Sequence, residues 1–299
     1  MFAAFLRLSR LKFLVGGFLG FGLGAAIASF EGAALTPSRY ALGQALVTAF
    51  HLMTHYTNDY FDRASDARTI RTPFSGGSGA LIDGSLPAAV GLVAGLVCLM
   101  AGLALTLAFA ARGEWTMTVL GLAIALFAWS YSSPPLRLLA TGAGEATTAL
   151  VVAVLVPLAG YATFMDRIDV RAAASTLPLA AAMIAMMICV EFPDVEADAA
   201  TGKRNLVVRF GRARSVRIVY GAILAIGLGT AAAIALGAPL RFAIVGLAIL
   251  VGGGTLWRTL ASGRYASPAD LELVAFRGVT LYISTVLAAI LAYASMALA

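Results

Sequence analysis

Two groups of acidic residues stand out in a chain that otherwise carries little charge. Only 12% of the residues are charged, whereas 61% are hydrophobic. The first group reads Asn58-Asp59-Tyr60-Phe61-Asp62 and ends at Asp66, and the second contains Glu191, Asp194, Glu196 and Asp198. A charged side chain costs about 2.5–3.5 kcal/mol at the centre of a membrane helix, so acidic residues at the ends of apolar segments indicate a functional site. Two such groups predict one site assembled from two halves of the chain.

The first acidic group has the spacing of a single helix face. Successive residues on this face are three or four positions apart, as one stripe of a helix requires. They are His51, His55, Asp59, Asp62 and Asp66. Carboxylates crowded on one face stay ionised together only when cations neutralise them. Oxygen ligands favour Mg²⁺, which keeps some of its waters and is completed by substrate phosphates. The spacing therefore predicts a magnesium site, with a solvated acidic loop or a transition-metal site at the two histidines as the alternatives.

The second group repeats this pattern and is followed by positive charge. Glu191, Asp194 and Asp198 are spaced by three and four residues and share one helix face, whereas Glu196 is expected to be solvated. The segment 201–205 that follows contains a glycine and two adjacent cations. Cations beside a metal site stabilise a leaving diphosphate, so this segment predicts a diphosphate-binding function.

Three cations are placed to serve that function. Lys203 and Arg204 follow the second group directly, and Arg71 follows the first. We expect these side chains to hold a diphosphate, with binding to lipid headgroups as the alternative. The basic residues of segment 209–217 are expected to face lipid headgroups only, so Arg212→Ala should change activity little.

The rest of the sequence is typical of a protein that crosses a membrane. The mean hydropathy is +0.91, and runs of about 20 apolar residues are long enough to span the hydrocarbon core as helices. We predict an all-α polytopic membrane protein with one domain over residues 1–299 and about nine transmembrane helices around a central cavity. The predicted spans are 12–30, 39–58, 87–111, 115–131, 146–165, 172–192, 215–236, 239–257 and 277–298.

A weak internal repeat predicts that these helices form two pseudo-repeats. Tyr131 opens a Tyr-Ser-Ser-Pro sequence 72 residues after Asp59, and Tyr265 opens a Tyr-Ala-Ser-Pro sequence 71 residues after Asp194. Membrane folds often hold their site between such repeats.

The basic residues indicate the orientation of the spans. Of the 21 lysines and arginines, 16 fall in the breaks on one side and five on the other. The positive-inside rule places the first side in the cytoplasm, together with the N-terminus and both acidic groups, in a bacterial-type inner membrane. A signal peptide ending near Ala28 is the alternative for the first span. The net charge of +6 does not indicate binding of nucleic acid, because the basic residues form no single patch.

These motifs together resemble those of the UbiA-type membrane prenyltransferases. The resemblance rests on Asn58-Asp59-x-x-Asp62-x-x-x-Asp66, on Asp194-x-x-x-Asp198-x-x-x-Gly202-Lys203-Arg204 and on Tyr131-Ser132-Ser133-Pro134-Pro135-Leu136-Arg137. It implies nine helices around a cavity that opens to lipid. It also implies two Mg²⁺ ions that bridge a polyprenyl diphosphate, and transfer of the prenyl group to an aromatic acceptor.

The resemblance further implies roles for individual residues. The implied metal ligands are Asn58, Asp62, Asp194 and Asp198, supported by Asp59 and Asp66. The implied diphosphate ligands are Arg71, Lys203, Arg204 and Arg137. The implied catalytic residues are Asp62, Asp194, Tyr131 and His55, with Tyr131 over the reacting allylic carbon. The residues implied on the acceptor side are Glu145 and His55.

The segments 142–145 and 157–161 are similar to those of the menaquinone branch, which joins prenyl chains to 1,4-dihydroxy-2-naphthoate. This implies a role in isoprenoid quinone biosynthesis. Three departures concern the acceptor, which could also be another quinone or pigment precursor. His55 stands where quinone-branch members commonly carry an amide, and Asn205 replaces a usual Thr or Ser. Arg137 lies six residues after Tyr131, whereas the ubiquinone branch has a lysine four residues after its tyrosine.

Two other functions remain compatible with these motifs. An intramembrane terpene cyclase of the same superfamily would ionise the same diphosphate and fold the chain onto itself. A cation-coupled transporter would place its acidic residues near the middle of the membrane on broken helices, whereas here they are expected at the cytoplasmic ends.

Overall fold

The structure is a computed structural model that describes residues 1–297, and all regular secondary structure in this part of the chain is helical. The helices of the first half are α1 (Phe2–Ser9), α2 (Leu14–Phe30), α3 (Pro37–Phe61), α4 (Arg63–Asp66), α5 (Ala88–Ala110), α6 (Trp115–Ser132) and α7 (Leu138–Thr141). The helices of the second half are α8 (Gly144–Leu150), α9 (Val156–Met165), α10 (Val170–Ser175), α11 (Leu177–Glu191), α12 (Val195–Ala200), α13 (Leu206–Ala235), α14 (Val245–Ala248), α15 (Gly254–Ala261) and α16 (Leu271–Ala297).

Eight helical segments within residues 1–297 are long and apolar enough to cross a membrane. They are Phe2–Phe30, Ala88–Ala110, Trp115–Ser132, Gly144–Met165, Val170–Ala200, Leu206–Ala235, Leu240–Ala261 and Pro268–Ala294. The 25-residue α3 is also long enough, but the acidic group and two histidines that it carries lower its hydropathy. Eight apolar spans and α3 account for the nine predicted ones, and the all-α polytopic membrane fold is confirmed.

The first acidic group lies in the last turns of α3. Pro37 begins this helix at a position where a missing N–H costs nothing, and the helix continues to Phe61. The N–H of Asp62 still donates to Asn58 O (2.8 Å), so the helical geometry extends one residue further. The sequence predicted this span to end at residue 58, one turn too early.

Glycines allow α5 to approach the polar end of α3 closely. On α5, Gly91 faces the carbonyl of Tyr56 and Gly95 faces the side chain of Thr57, so that a Cβ at either position would crowd α3. Small residues spaced by four on one face are a common basis for close helix packing in lipid. The glycines thus allow α3 and α5 to pack closely against each other.

The second acidic group is divided by a break between α11 and α12. Residues Phe192–Asp194 form a 3₁₀ turn, because Pro193 has no N–H to continue the α-helical hydrogen bonds. Glu191 is therefore the last residue of α11, Asp194 lies in the turn and Asp198 lies in α12. The predicted single helix face is interrupted, yet all three side chains line the same cavity.

The longest helix of the second half has a kink near its start. Gly211 has φ of +72°, a left-handed conformation that glycine adopts without strain, and it separates Leu206–Phe210 from the rest of α13. The sequence predicted this span to begin at residue 215. The helix instead begins at Leu206, nearer in the chain to the second acidic group than predicted.

Large apolar side chains remain exposed around the bundle. Val97 and Leu107 of α5, and Leu224 and Leu228 of α13, are each more than half exposed. An exposed apolar surface of this kind indicates contact with lipid in a membrane protein.

Candidate active site

A central cavity of about 320 Å³ lies where the two acidic groups meet. The residues that line its polar end include Asn58, Asp62, Asp66, Asp194, Asp198 and Lys203. The remaining walls are largely apolar and include Phe50, Ile124, Met183, Met187 and Val279. A cavity with one charged end and apolar walls can accommodate a molecule with an anionic head and a hydrocarbon tail.

Asn58 and Asp62 are adjacent at the end of α3. Asn58 Nδ2 donates to Asp62 Oδ2 (2.7 Å) and to Ser132 Oγ (3.0 Å) at the end of α6. These contacts fix the orientation of the amide. The Oδ1 of Asn58 accepts from Arg10 Nη1 (3.2 Å), and both Asn58 and Asp62 line the cavity.

Lys203 connects the two acidic groups. Its Nζ lies 3.2 Å from Asp62 Oδ2 and 3.1 Å from Asp198 Oδ1, and all three side chains are at least nine-tenths buried. Burial alone would lower the pKa of Lys203, but the two carboxylates raise it to about 12. Lys203 is therefore a permanent positive charge in the polar end of the cavity.

Asp198 is held by hydrogen bonds from both acidic motifs. Ser65 Oγ donates to Asp198 Oδ1 (2.6 Å), and Asn205 Nδ2 donates to Asp198 Oδ2 (2.9 Å). The Asn205 oxygen also accepts the N–H of Val208 (2.8 Å), which caps the start of α13. The two halves of the site are therefore joined by short contacts as well as by Lys203.

Asp59 lies behind the cavity and does not line it. Its Oδ1 is 3.3 Å from Arg10 Nη1, and its Oδ2 accepts the N–H of Ser78 (3.0 Å). Both carboxylate oxygens are thus engaged. Arg10 itself lines the cavity, so Asp59 is placed to orient this arginine between α1 and α2.

The polar end holds more negative charge than Lys203 neutralises. Burial raises the pKa of Asp62, although Lys203 opposes this. Burial, and then the neighbouring Asp62 carboxylate, raise the pKa of Asp66 to about 7. Asp194 Oδ1 is buried without a hydrogen-bond partner. This combination of desolvation and unpaired acceptors favours the binding of a further cation.

These side chains fit an Mg²⁺ ion that shares its coordination with a substrate. Within residues 1–297, no three His, Cys, Asp or Glu side chains form a complete metal site by themselves. Mg²⁺ does not require such a site, because one or two carboxylates usually bind it together with waters and substrate phosphates. The unpartnered Oδ1 of Asp194 and the carboxylates of Asp62 and Asp198 provide oxygen ligands of that type.

The two histidines line the cavity away from the carboxylates. His55 Nδ1 lies 2.9 Å from the carbonyl oxygen of Ser9, and the rings of His51 and His55 are 4.6 Å apart. The contact with a backbone carbonyl requires His55 Nδ1 to carry the proton. Among the described residues, the histidines are not grouped with carboxylates in a metal site, and the transition-metal alternative gains no support.

Tyr131 lies at the end of α6 and Glu145 in the first turn of α8. Tyr131 lines the cavity, as does Thr148 of α8. Glu145 is fully buried, and its Oε1 accepts the N–H of Leu206 (2.6 Å). Tyr265, the second tyrosine of the repeat, does not line this cavity.

The three predicted diphosphate-binding arginines lie outside the cavity lining. Arg71, Arg137 and Arg204 are exposed, although Arg137 is near enough to Asp62 to affect its pKa. The guanidinium of Arg71 packs over Gly79 and lines a neighbouring basic hollow together with Arg10. Their role in holding diphosphate stays a prediction.

Arg212 was expected to face lipid headgroups, and the structure shows a different position. Its guanidinium donates twice to Phe192 O (3.0 and 2.8 Å) and once to Glu196 Oε2 (2.8 Å), with only 21% of the side chain exposed. The carbonyl of Phe192 belongs to the turn that carries Asp194. Arg212 therefore contacts the turn of the second acidic group, so its expected position at the lipid headgroups is wrong, and we now expect Arg212→Ala to have a measurable effect.

Arg212→Ala should lower both stability and activity. Hydrogen bonds to a charged group contribute about 1.5–3 kcal/mol, and their loss leaves the carbonyl of Phe192 without this partner. We expect a lower midpoint of thermal unfolding in detergent and about tenfold weaker Mg²⁺-dependent turnover, this factor corresponding to about 1.4 kcal/mol. Arg214→Ala is the matched control, since Arg214 lies two residues away and is exposed. Equal behaviour of the two variants would contradict this role.

Three side chains of the site were not identified from the sequence. Ser65 lies within the first motif, three residues after Asp62, so helical spacing could have identified it. Asn205 was noted only as a departure from the usual residue, although it holds Asp198. Arg10 reaches Asn58 and Asp59 from 48 and 49 residues away, and no local pattern could have revealed that contact.

Comparisons with known proteins give a consistent result. A family model described as the UbiA prenyltransferase family matches residues 17–277. No curated protein matches the chain by sequence. The chain is similar to the solved structure of a UbiA homolog from Archaeoglobus fulgidus bound to GPP and Mg²⁺, with 16% identity and a TM-score of 0.67 over 94% of this chain and 99% of that one.

Two further solved structures have the same fold. A UbiA homolog from Aeropyrum pernix K1, in its apo form, is 13% identical with a TM-score of 0.63 and covers 90% of this chain and 97% of that one. A digeranylgeranylglyceryl phosphate synthase is 17% identical with a TM-score of 0.64 and covers 98% of this chain and 99% of that one. At such identities the similarity establishes a common helical fold.

Proposed function

Because this chain belongs to the UbiA prenyltransferase family, we propose that it transfers a polyprenyl group from its diphosphate to an aromatic acceptor, with Mg²⁺ as cofactor. The observation that carries this proposal is the meeting of both acidic groups and Lys203 at the polar end of one apolar-walled cavity. That arrangement suits a diphosphate head and a hydrocarbon tail. The binding of GPP and Mg²⁺ by the similar Archaeoglobus fulgidus protein supports the same assignment.

The finer parts of the proposal rest on sequence features. We propose that the acceptor is a quinone or pigment precursor such as 1,4-dihydroxy-2-naphthoate, on the resemblance of segments 142–145 and 157–161 to the menaquinone branch. The chain would act as one domain, with two Mg²⁺ ions and with lipid around its outer faces. The excess of basic residues beside the acidic groups supports a cytoplasmic active site and N-terminus in a bacterial-type inner membrane.

The residues at the polar end would hold the diphosphate and its metal ions. The proposed metal ligands are Asn58, Asp62, Asp194 and Asp198, with Asp59 and Asp66 supporting them. Lys203 would contact the diphosphate directly from inside the cavity. Arg71, Arg137 and Arg204 would complete the charge at its rim, where arginine suits phosphate recognition.

Reaction begins when the C–O bond between the allylic carbon and the diphosphate breaks. Mg²⁺, when bound, would supply the charge that neutralises the leaving diphosphate. Lys203 adds a fixed positive charge there, and its burial strengthens the effect. Tyr131 would lie over the allylic carbon, and the apolar walls would keep water from the cation until the acceptor attacks it.

One assay tests this function. Purified protein would be incubated with geranylgeranyl diphosphate, Mg²⁺ and a panel of aromatic acceptors that includes 1,4-dihydroxy-2-naphthoate, with products identified by mass. We expect a prenylated acceptor and an equal amount of released diphosphate, both abolished by EDTA. An omitted-acceptor reaction and a metal-free reaction serve as controls.

The other functions give different results in the same assay. A terpene cyclase would release diphosphate and form a cyclic hydrocarbon without any acceptor. A cation transporter would release no diphosphate under any condition. Either result would contradict the proposed prenyl transfer.

A further inference from the structure

Two polar side chains in the cavity wall have no hydrogen-bond partner in the described part of the protein. Tyr282 of α16 is 1% exposed and lines the cavity, and its hydroxyl group is unpartnered within residues 1–297. His51 of α3 lines the same cavity, and its ring contacts that of His55 but makes no hydrogen bond with any residue of that range. His55 differs, because its Nδ1 is engaged by Ser9 O. A hydroxyl group and an imidazole among apolar walls cost free energy unless a ligand supplies the missing hydrogen bonds.

Both side chains lie deep in the helix bundle, well beyond the acidic groups. His51 precedes Asp62 by eleven residues, which corresponds to about 16 Å along the axis of α3. Tyr282 follows the start of α16 by eleven residues, again about 16 Å. The start of α16 lies at the same end of the bundle as the acidic groups, because Phe276 contacts Phe74 in the loop after the first group. The two polar side chains therefore have a similar depth, near the middle of a hydrocarbon core about 30 Å thick.

Two glycines of α2 leave a bare helix surface between these polar groups. Gly16 and Gly17 both line the cavity. A Cβ at Gly16 would lie 4.0 Å from Tyr282 Cε1, and a Cβ at Gly17 would lie 2.8 Å from His51 Nδ1. Because the two glycines are adjacent in the helix, Tyr282 and His51 flank the same short stretch of α2. A surface without side chains suits a flat ligand that reaches both groups.

We propose that Tyr282 and His51 form a second polar subsite, which binds an oxygen atom of the aromatic acceptor on the side remote from the prenylated carbon. This inference rests on the proposed prenyl transfer, and it narrows the acceptor to compounds with oxygen substituents at opposite positions of one ring. The Tyr282 hydroxyl donates a hydrogen bond to the remote oxygen, and a ring nitrogen of His51 accepts the proton of that oxygen when it is a hydroxyl group. The prenyl tail cannot fill the subsite's hydrogen bonds, because a hydrocarbon has neither donors nor acceptors.

The position of the subsite determines the orientation of the acceptor. His51 precedes Asn58 by seven residues, which is about 10 Å along α3. The diphosphate head and the allylic carbon occupy the Asn58 end of this interval, and the acceptor ring occupies the His51 end. An oxygen held at the far end fixes which ring carbon faces the allylic carbon. The subsite therefore selects both the acceptor and the position at which it is prenylated.

Transfer by Tyr282→Phe tests the subsite, since this substitution removes the hydroxyl group and keeps the buried ring. Two acceptors are compared under anaerobic conditions with geranylgeranyl diphosphate and Mg²⁺. They are 1,4-dihydroxynaphthalene, which has the remote oxygen, and 4-methyl-1-naphthol, in which a methyl group replaces it. We expect kcat/KM to fall about tenfold with the first acceptor and to stay unchanged with the second. His51→Leu should show the same selective loss.

Binding without turnover provides a second measurement. With geranylgeranyl thiodiphosphate and Mg²⁺ present, the dissociation constant of 1,4-dihydroxynaphthalene should rise about tenfold in Tyr282→Phe. The thiodiphosphate itself should bind to Tyr282→Phe as tightly as to the wild type. Unchanged binding of this analogue also shows that the variant is folded.

Tyr293→Phe is the matched control. Tyr293 also belongs to α16 and is fully buried, but its hydroxyl group contacts Ser175 Oγ (2.6 Å) and its side chain does not line the cavity. We expect this variant to unfold at a lower temperature and to keep the wild-type ratio of kcat/KM between the two acceptors. A change of that ratio in Tyr293→Phe equal to the change in Tyr282→Phe would overturn the subsite.

The outcomes distinguish the subsite from the proposed function. A wild type that prenylates neither acceptor and does not prenylate 1,4-dihydroxy-2-naphthoate contradicts the proposed function, and the subsite falls with it. Wild-type transfer together with an equal loss for both acceptors in Tyr282→Phe, or with no loss for either, contradicts the subsite alone. Unchanged binding of 1,4-dihydroxynaphthalene by Tyr282→Phe has the same consequence.

Discussion

Asp194→Asn is expected to abolish prenyl transfer, with kcat/KM lower by about 10³-fold or more. The reason is that Asp194 Oδ1 is a buried acceptor without a partner at the polar end of the cavity, where the proposed Mg²⁺ ion would need it. The amide keeps the shape of the side chain but removes its charge. Asp62→Asn should have the same effect, because Asp62 faces the same space from α3.

The measurement is Mg²⁺-dependent release of diphosphate by purified protein in detergent. Glu196→Gln is the matched control, because Glu196 lies two residues from Asp194 but has a side chain that is 69% exposed. We expect the control to retain most of the activity. Wild-type activity in either aspartate variant would contradict the assignment of these carboxylates to the metal ions.

Lys203→Met is expected to destabilise the protein strongly in the absence of Mg²⁺. Lys203 is the cation that contacts both Asp62 and Asp198, and removing one partner of a buried ion pair costs about 3–5 kcal/mol. Bound Mg²⁺ would replace part of the lost charge. The loss of stability should therefore be larger in EDTA than in excess Mg²⁺, and transfer should fall under both conditions.

Thermal unfolding in detergent, with EDTA and with Mg²⁺, measures this effect. Arg68→Met is the control, because Arg68 is an exposed cation between the same two motifs and makes only a long contact, 3.5 Å, to Ala200 O. If Lys203→Met unfolded at the wild-type temperature in EDTA, the ion pairs would contribute nothing to stability. That result would also remove the reason for treating Lys203 as the fixed charge of the site.

The sequence was sufficient to predict the fold class and the side chains at the polar end of the cavity. Helical spacing identified Asp62 and Asp66, and the same spacing identified Asp194 and Asp198, because periodicity within one segment is a local property. Whether both groups line one cavity depends on the tertiary structure. It could be expected from the sequence only because acidic residues in an apolar chain cost free energy and therefore indicate a functional site.

The parts that the sequence did not reveal depend on contacts between distant segments. Arg212 lies among other arginines and looks like a residue that faces headgroups, but the kink at Gly211 turns its side chain toward the carbonyl of Phe192. Glu145 lies in the first turn of α8, yet its Oε1 accepts the N–H of Leu206, 61 positions later in the chain. Neither contact has a signal in local composition.

The polarity of α3 has a consequence for the biogenesis of the protein. This helix carries the first half of the site and is the long helix in residues 1–297 that lacks the hydropathy of a self-sufficient transmembrane segment. A translocon would therefore release α3 into the bilayer poorly on its own. The glycine face of α5 that receives α3 is synthesised some 30 residues later. We expect α3 to stay in the translocon until α5 emerges and to enter the lipid together with α5 as a hairpin. The polar residues that form the site would therefore also determine when α3 is inserted.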